Sequence, residues 1–195
     1  MNCRRWGKVQ FTSEQAQEIG NPAFAKRVKE ISGTTLDRCY QCLTCSLGCP
    51  VNFAMDYLPN QIIRMVQLGL KEQVLKSSTI WLCATCESCV ARCPNEVDVL
   101  RVMDTLREMA LREGVKGKES IIPIFHETFL GSIRQWGRQH ELSMLLLLKL
   151  KTRDIFSDLG MGVKMLLKGN LRLLPPRVKG SKDVKAIFEK TKGEM

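Results

Sequence analysis

Hydrophobic positions along the chain follow a helical period, and the first such segment begins at Asn21. Asn21 followed by Pro22 is a helix start, because asparagine accepts hydrogen bonds from the first turn and proline suits the first helical position. Phe24, Val28 and Ile31 then fall at i, i+4 and i+7, on one face. The pattern predicts a lead-in helix with an apolar face.

Two further short helices are predicted in the middle of the chain. Pro59 opens the first, which carries Ile62 and Val66 on one side and ends near Gly69. The second runs over about residues 71–77. The second helix leads into the second cysteine-rich segment.

A longer helix is predicted from Asn95, its N-cap, to about Glu113, with Asp98 in its first turn and Gly114 just past its end. Its apolar stripe consists of Val99, Val102, Met103, Leu106, Met109 and Ala110. Methionines at this spacing are typical of a hydrophobic core rather than of metal ligation.

The remaining pattern predicts an all-α fold. Residues 1–115 lack the strict alternation that a strand requires, and residues 120–195 are broken into two or three helices, an extended basic stretch and a last helix near residues 184–190. We predict an N-terminal segment with the lead-in helix over 1–35, a central domain over 36–115, and a helical, partner-docking tail over 116–195.

Charge and hydropathy narrow the possible environments. The formal net charge is +10, and residues 114–195 hold 16 Lys and Arg against 8 Asp and Glu. Such a tail fits nucleic acid, anionic lipid or an acidic protein partner, or is simply a solubilising surface, which we favour. Neither a nucleic-acid motif nor a long apolar run is present, so we expect no nucleic-acid binding, no membrane insertion and a cytoplasmic location.

Eight of the nine cysteines form two copies of Cys-x2-Cys-x2-Cys-x3-Cys-Pro. The first copy is Cys39, Cys42, Cys45 and Cys49, and the second, 44 positions later, is Cys83, Cys86, Cys89 and Cys93. Cytoplasmic thiols are kept reduced, so closely spaced cysteines indicate metal ligands rather than disulfides. This spacing is typical of two [4Fe–4S] clusters, in which the fourth cysteine of each run ligates the other cluster.

The expected ligand sets are therefore crossed between the motifs. Cluster I takes Cys39, Cys42, Cys45 and Cys93, and cluster II takes Cys83, Cys86, Cys89 and Cys49. The alternative is two zinc sites with four cysteines each, but zinc sites usually pair two Cys-x2-Cys units and do not need a third cysteine at this spacing followed by Cys-Pro.

Other candidate residues carry less weight. Cys3, the ninth cysteine, is interpreted as a bystander rather than a redox-active thiol, and Trp81 either shields cluster II from water or belongs to the core. His126 and His140 lie outside any metal-binding spacing. No phosphate loop, nucleophile elbow or His/carboxylate constellation is present, so we predict a chain without catalytic residues that transfers electrons.

The sequence resembles the C subunit of heterodisulfide reductases. The resemblance rests on Cys39 to Pro50, Pro59 to Leu75, Ile80 to Cys86 and Cys93-Pro94, with weaker matches at Gly137-Arg138, Leu166 to Gly169 and Pro175 to Gly180. It implies the α-helical ferredoxin fold and a place in a larger complex. In that family, the C subunit passes electrons from a flavin- and cluster-bearing A subunit to the disulfide-reducing B subunit, and the complex can take part in electron bifurcation.

Two alternatives to a soluble heterodisulfide reductase subunit stay open at this point. One is the iron–sulfur subunit of a quinone-linked dehydrogenase, although the plant-type ferredoxin or cysteine-rich domains often fused to such subunits are absent here. The other is a basic regulatory protein that senses redox state while binding nucleic acid. In the leading interpretation the chain is a non-catalytic electron-transfer subunit of an oxidoreductase.

Overall fold

The computed structural model describes residues 20–115, 117–119, 121–152, 160, 164–165, 167–168 and 178–191. The chain divides into two compact units, Met1–Glu119 and Ser120–Met195. Every regular element over the described residues is a helix, which confirms the predicted all-α fold. None of these helices is long and apolar enough to cross a membrane. The three-part division at residues 35 and 115 stays a prediction.

The first unit contains seven described α-helices and two 3-10 turns. The helices are α1 (Pro22–Ser32), α2 (Thr44–Leu47), α3 (Pro59–Gln67), α4 (Lys71–Lys76), α5 (Thr79–Leu82), α6 (Ser88–Ala91) and α7 (Val99–Arg112), with 3-10 turns at Leu36–Arg38 and Asn52–Ala54.

The core of the first unit forms around α7, which packs against α1, α3, α4, α5 and α6. All six predicted stripe residues of α7 are buried, which confirms the periodicity argument. Ile62, Val66 and Leu70 complete the core from the α3 side, and each has no exposed surface. Burial of so many apolar side chains is the main force holding the short helices together.

The start of α1 is confirmed, but one predicted core residue is wrong. Asn21 Oδ1 accepts a hydrogen bond from Phe24 N at 3.3 Å, and Phe24 and Val28 are buried. Ile31, however, is 45% exposed, and Ser32 is buried in its place. After Val28, the next residue on the buried face of α1 is therefore four positions later, at Ser32, and not three positions later, at Ile31.

The predicted N-cap of the long helix is also wrong. The helix begins at Val99, and Asp98 is its N-cap, with Oδ1 accepting from Arg101 N at 2.9 Å. The Asn95 side chain instead donates to the carbonyl oxygen of Arg38. That long-range bond holds the segment after the second motif against the segment before the first one.

The predicted helices over Pro59–Gln67 and Lys71–Lys76 are confirmed, and Gly69 lies between them with φ of 75°. A side chain at Gly69 would place its Cβ 2.7 Å from the backbone nitrogen and oxygen of Asn21. Both the positive φ and this close approach require glycine. The turn after α3 therefore touches the start of α1, and Gly20 N donates to Leu68 O at 3.2 Å.

The second unit contains the described helices α8 (Ile121–Trp136), α9 (Glu141–Thr152) and α10 (Ser181–Thr191). Both α9 and α10 pack on α8. The α8–α9 turn is held by Ser132, whose Oγ accepts from His140 N at 3.0 Å. The predicted extended basic stretch and Pro175-Pro176 lie outside the described residues. α9 exposes several leucines, namely Leu145, Leu146, Leu147 and Leu150.

Candidate cluster-binding site

Each cysteine motif folds as a loop followed by one turn of helix. The first motif carries Cys45 on α2, and the second carries Cys89 on α6. These helices lie at equivalent positions of the 44-residue repeat, so the two motifs share one local conformation. A four-residue helix has little stability of its own, and its form depends on what it packs against.

Four motif residues other than glycine adopt the left-handed backbone region. Their φ angles are 65° at Gln41, 67° at Leu43, 52° at Thr85 and 60° at Glu87. They occupy the same two positions in both motifs, on either side of the second cysteine. Such conformations cost about 1–3 kcal/mol each outside glycine, and they concentrate at ligand-binding sites. The backbone of the two loops therefore bends at the same positions and in the same way.

The second cysteine of each motif is exposed and hydrogen-bonded to a hydroxyl group. Cys42 Sγ donates to Thr44 Oγ1 at 3.3 Å, and Cys86 Sγ donates to Ser88 Oγ at 3.5 Å. When the thiols are ionised, the Thr44 and Ser88 hydroxyl groups and nearby backbone N–H groups donate to the sulfurs instead, which stabilises the thiolates and lowers the pKa of Cys42 and of Cys86. Both thiols are therefore prepared for deprotonation, the state that binds iron.

The fourth cysteine of the first motif lies with the first three of the second. Cys49, Cys83, Cys86 and Cys89 line one pocket together. Over the described residues, no group of three His, Cys, Asp or Glu side chains is already positioned to hold a single metal ion. The four thiols that share the pocket are the four expected as ligands of cluster II in crossed ligation.

The fourth cysteine of the second motif lies close enough to the first motif for its charge to act there. The pKa of Tyr40 is raised first by its hydrogen bond with Cys42, then by slight burial and by the charges of Cys42 and Cys93. Cys93 therefore acts on a residue of the first loop. The residues before the two fourth cysteines also meet, since a Cβ at Gly48 would lie 2.6 Å from Arg92 Nη1.

The interior thiols raise one another's pKa. Burial, followed by the charges of Cys83 and Cys45, raises the pKa of Cys89 to about 11. Burial also raises the pKa of Cys49, and Cys83 and Cys86 add to the increase. Several thiolates this close together need a positively charged centre to be stable. The donor set therefore fits an iron–sulfur core, whose irons supply that charge.

Arg107 of α7 is hydrogen-bonded to the backbone at the start of the second motif. Its Nη2 donates to the carbonyl oxygen of Cys83 at 2.5 Å, its Nε donates to that of Ile80, and its Nη1 lies 2.9 Å from Asp104 Oδ1. The side chain is only 17% exposed. A guanidinium group with its donors directed at two carbonyls fixes the backbone from which the second loop starts.

Asp56 caps the helix that leads into the second motif, although it lies more than 20 residues before it. Its Oδ2 accepts from Ser78 N at 2.9 Å, and its Oδ1 accepts from Thr79 N at 3.1 Å and from Thr79 Oγ1 at 2.8 Å. Partial burial alone would raise the pKa of Asp56, but these hydrogen bonds outweigh it and lower the pKa. The carboxylate therefore anchors α5, and with it Cys83.

Replacing Asp56 with asparagine is expected to destabilise the protein. Asp56→Asn weakens a half-buried cap that accepts three hydrogen bonds, and we expect the free energy of unfolding to fall by about 1–3 kcal/mol near neutral pH. Because the pKa of Asp56 is lowered on folding, its contribution is complete above about pH 4 and is lost as pH falls through the lowered value. Guanidinium unfolding of the cluster-loaded protein measures both effects.

Asp37 supplies the matched control for this prediction. Its side chain is 74% exposed and pairs with Lys29. Exposed pairs contribute little, so Asp37→Asn is expected to change the free energy of unfolding by less than about 0.5 kcal/mol. Equal losses in the two variants would contradict the capping role of Asp56.

The positions of Trp81 and Cys3, the other candidates from the sequence, add little to the description of the site. Trp81 is 6% exposed on α5, and the residues lining the four-cysteine pocket do not include it. It is a core residue in this structure, the second of its two predicted roles. Cys3 lies outside the described residues. Asp56 and Arg107 were not predicted from the sequence, because their bonds to the second motif and the helix before it span at least 22 residues of chain and leave no local signal.

Part of the first unit is similar to a known family of protein domains. Residues 35–97 match the family described as the 4Fe-4S dicluster domain. This segment contains all eight motif cysteines and both loops. This stretch of the first unit is therefore similar to a 4Fe-4S dicluster domain, which agrees with its eight cysteines and its helical fold.

The relatives support the resemblance to the C subunit of heterodisulfide reductases. The chain is 37% identical over 91 residues to the C subunit of the "H(2):CoB-CoM heterodisulfide,ferredoxin reductase" of Methanothermobacter marburgensis, covering 47% of this chain and 49% of that protein. It is 38% identical over 101 residues to the C2 subunit of the "H(2)/formate:CoB-CoM heterodisulfide,ferredoxin reductase" of Methanococcus maripaludis, covering 52% of each.

A third relative extends the same pattern. The iron-sulfur C subunit of the "CoB--CoM heterodisulfide reductase" of Methanopyrus kandleri is 34% identical over 105 residues, covering 54% of this chain and 53% of that protein. The chain thus matches about half the length of these curated relatives. The resemblance predicted from the sequence is confirmed at this level of similarity.

Proposed function

We propose that the chain is an electron-relay subunit of a soluble heterodisulfide reductase complex and that its eight motif cysteines hold two [4Fe–4S] clusters. The observation that carries this proposal is the pocket in which Cys49 joins the first three cysteines of the second motif. Crossed ligation accounts for that grouping, and the names of the relatives indicate the type of complex.

The proposed roles of the residues follow from their positions. The first three cysteines of each motif hold the cluster of their own loop, and Cys49 and Cys93 hold the opposite one. When bound, such clusters supply one-electron redox chemistry at potentials that the protein sets. Cys42 and Cys86 are exposed, so each loop presents one ligand at the surface where a partner's redox group can approach.

The partners follow from the resemblance. In the proposed complex, a flavin- and iron–sulfur-bearing A subunit donates the electrons and a disulfide-reducing B subunit receives them. This complex is a cytoplasmic hetero-oligomer without nucleic acid or a membrane-inserted segment of this chain. The exposed leucines of α9, together with basic Lys149 and Lys151 in its last turn, support docking of the second unit on such a partner.

Anaerobic purification of the tagged chain with its natural partners tests this function. We expect a complex that reduces a heterodisulfide. Cys42→Ser and Cys86→Ser are expected to lower that activity at least tenfold, because each removes a cluster ligand. The same substitution at the ninth cysteine, Cys3→Ser, is the control and should retain activity. An iron-replete complex without disulfide reductase activity would sink the proposal.

A further inference from the structure

A chain of side-chain hydrogen bonds connects the interior of the first unit to the first cysteine of the first motif. Ser46 Oγ donates to Asn60 Oδ1 at 2.6 Å, and Asn60 Nδ2 donates to Gln41 Oε1 at 3.0 Å. Gln41 Nε2 then donates to Cys39 Sγ at 3.4 Å. Each amide accepts through its oxygen and donates through its nitrogen, so the chain has a single direction that ends on the sulfur.

The inner end of this chain is held firmly. Ser46 is 2% exposed and Asn60 is 7% exposed, and Asn60 N donates back to Ser46 Oγ at 3.1 Å. Hydrogen bonds in such a low-dielectric setting strengthen one another, and an unpaired member is costly. Gln41 itself has φ of 65°, which the surroundings must impose on a residue of this type. Its amide group is therefore oriented before any ligand binds.

The second motif lacks this arrangement. The residues 44 positions after Gln41, Ser46 and Asn60 are Thr85, Val90 and Asp104. Thr85 Oγ1 donates to the neighbouring carbonyl of Ala84 at 2.8 Å, Val90 has no polar side-chain atom, and Asp104 pairs with Arg107. The repeat is thus symmetric in its cysteines and its left-handed residues but asymmetric in its hydrogen bonding to sulfur.

A hydrogen bond to a ligating sulfur stabilises the more negative, reduced state of a cluster and raises its reduction potential. We propose that Gln41 is a positioning residue that raises the potential of cluster I through Cys39, and that Asn60 and Ser46 hold its amide in place. This inference rests on the proposed ligation of a cluster by Cys39. It assigns to the first loop a hydrogen bond that raises a reduction potential, and the second loop has no equivalent of that bond.

Gln41→Met tests the inference, because methionine matches glutamine in length but has no N–H group. In an anaerobic redox titration of the reconstituted chain, followed by EPR, we expect one of two reduction waves to move to lower potential. The expected change in the reduction equilibrium constant is roughly three- to tenfold, where tenfold equals about 59 mV for a one-electron couple. The shifted wave should be the one that Cys42→Ser also alters.

Two further variants make the test decisive. Ser46 Oγ also lies 3.8 Å from Cys45 Sγ, so the second variant is Asn60→Leu, which keeps Ser46 and Gln41 but removes the bond that orients the Gln41 amide. We expect a smaller shift of the same wave in the same direction. Thr85→Val, the matched change in the second loop, should leave that wave unmoved. Pulsed EPR in deuterated buffer should also show an exchangeable proton near the reduced cluster that Gln41→Met removes and Thr85→Val retains.

The outcomes separate this inference from the proposed function. Unshifted waves in both Gln41→Met and Asn60→Leu, with full iron content, would overturn the tuning role while leaving two clusters in place. If Gln41→Met does not load iron, the Asn60→Leu titration decides. A wild-type chain that binds no iron would overturn the proposed ligation itself, and the tuning role with it.

Discussion

Anaerobic removal of iron with a chelator is expected to unfold the cysteine-bearing unit. The one-turn helices α2 and α6 are too short to persist alone, and four left-handed residues beside them add backbone strain. Crossed ligation also ties the two loops to each other, so the binding free energy of the clusters is part of the folding free energy. We expect the cooperative unfolding transition of this unit to disappear.

Far-UV circular dichroism and thermal unfolding, recorded before and after chelation, measure this effect. The loss of helix signal should follow the loss of iron, and reconstitution with iron and sulfide should restore both. A sample that contains the same chelator but keeps its iron is the control, and its helix signal should not change. A sample with no bound iron that retains its full helix content and a sharp transition would contradict the coupling.

Serine substitution of the fourth cysteines has the second large expected effect. In the crossed arrangement, Cys93→Ser disturbs the cluster held by the first motif, and Cys49→Ser disturbs the cluster held by the second. Loss of one of four thiolate ligands should change the EPR signal of that cluster or reduce the iron content by up to one cluster. The grouping of Cys49 with the second motif around one pocket is the geometric basis for this expectation.

Single substitutions within each loop identify which cluster is affected. Cys42 and Cys86 occupy equivalent, exposed positions in the two motifs, so Cys42→Ser and Cys86→Ser are matched references. The spectrum of Cys93→Ser should lose the same signal as Cys42→Ser, and that of Cys49→Ser the same signal as Cys86→Ser. The opposite pairing would show that each motif holds its own cluster with all four cysteines.

Much of the fold could be read from local sequence signals. The cap at Asn21, the start at Pro59 and the buried stripe of α7 depend only on residues within one or two helical turns. The repeat of the cysteine motifs likewise shows directly that the two loops share a conformation. These signals were reliable because each arises from the element that carries it.

The remaining features depend on contacts between distant segments. Asn95 has the residue type of a helix cap, but its side chain donates a hydrogen bond to the carbonyl oxygen of Arg38. Asp98 caps α7 instead. Left-handed φ values at Leu43 and Thr85 contradict the usual preference for glycine or asparagine, so residue type did not predict them. Hydrogen bonds that cross between elements have no periodicity that a sequence pattern could show.

Iron and sulfide quantitation combined with EPR of the dithionite-reduced protein tests the central claim, that eight cysteines in two loops hold two [4Fe–4S] clusters. We expect about eight irons per chain and the broadened spectrum of two interacting [4Fe–4S]⁺ centres. Zinc analysis of the same sample is the control and should show much less than one zinc ion per chain. Four irons per chain, a single non-interacting signal, or two zinc ions per chain would contradict it.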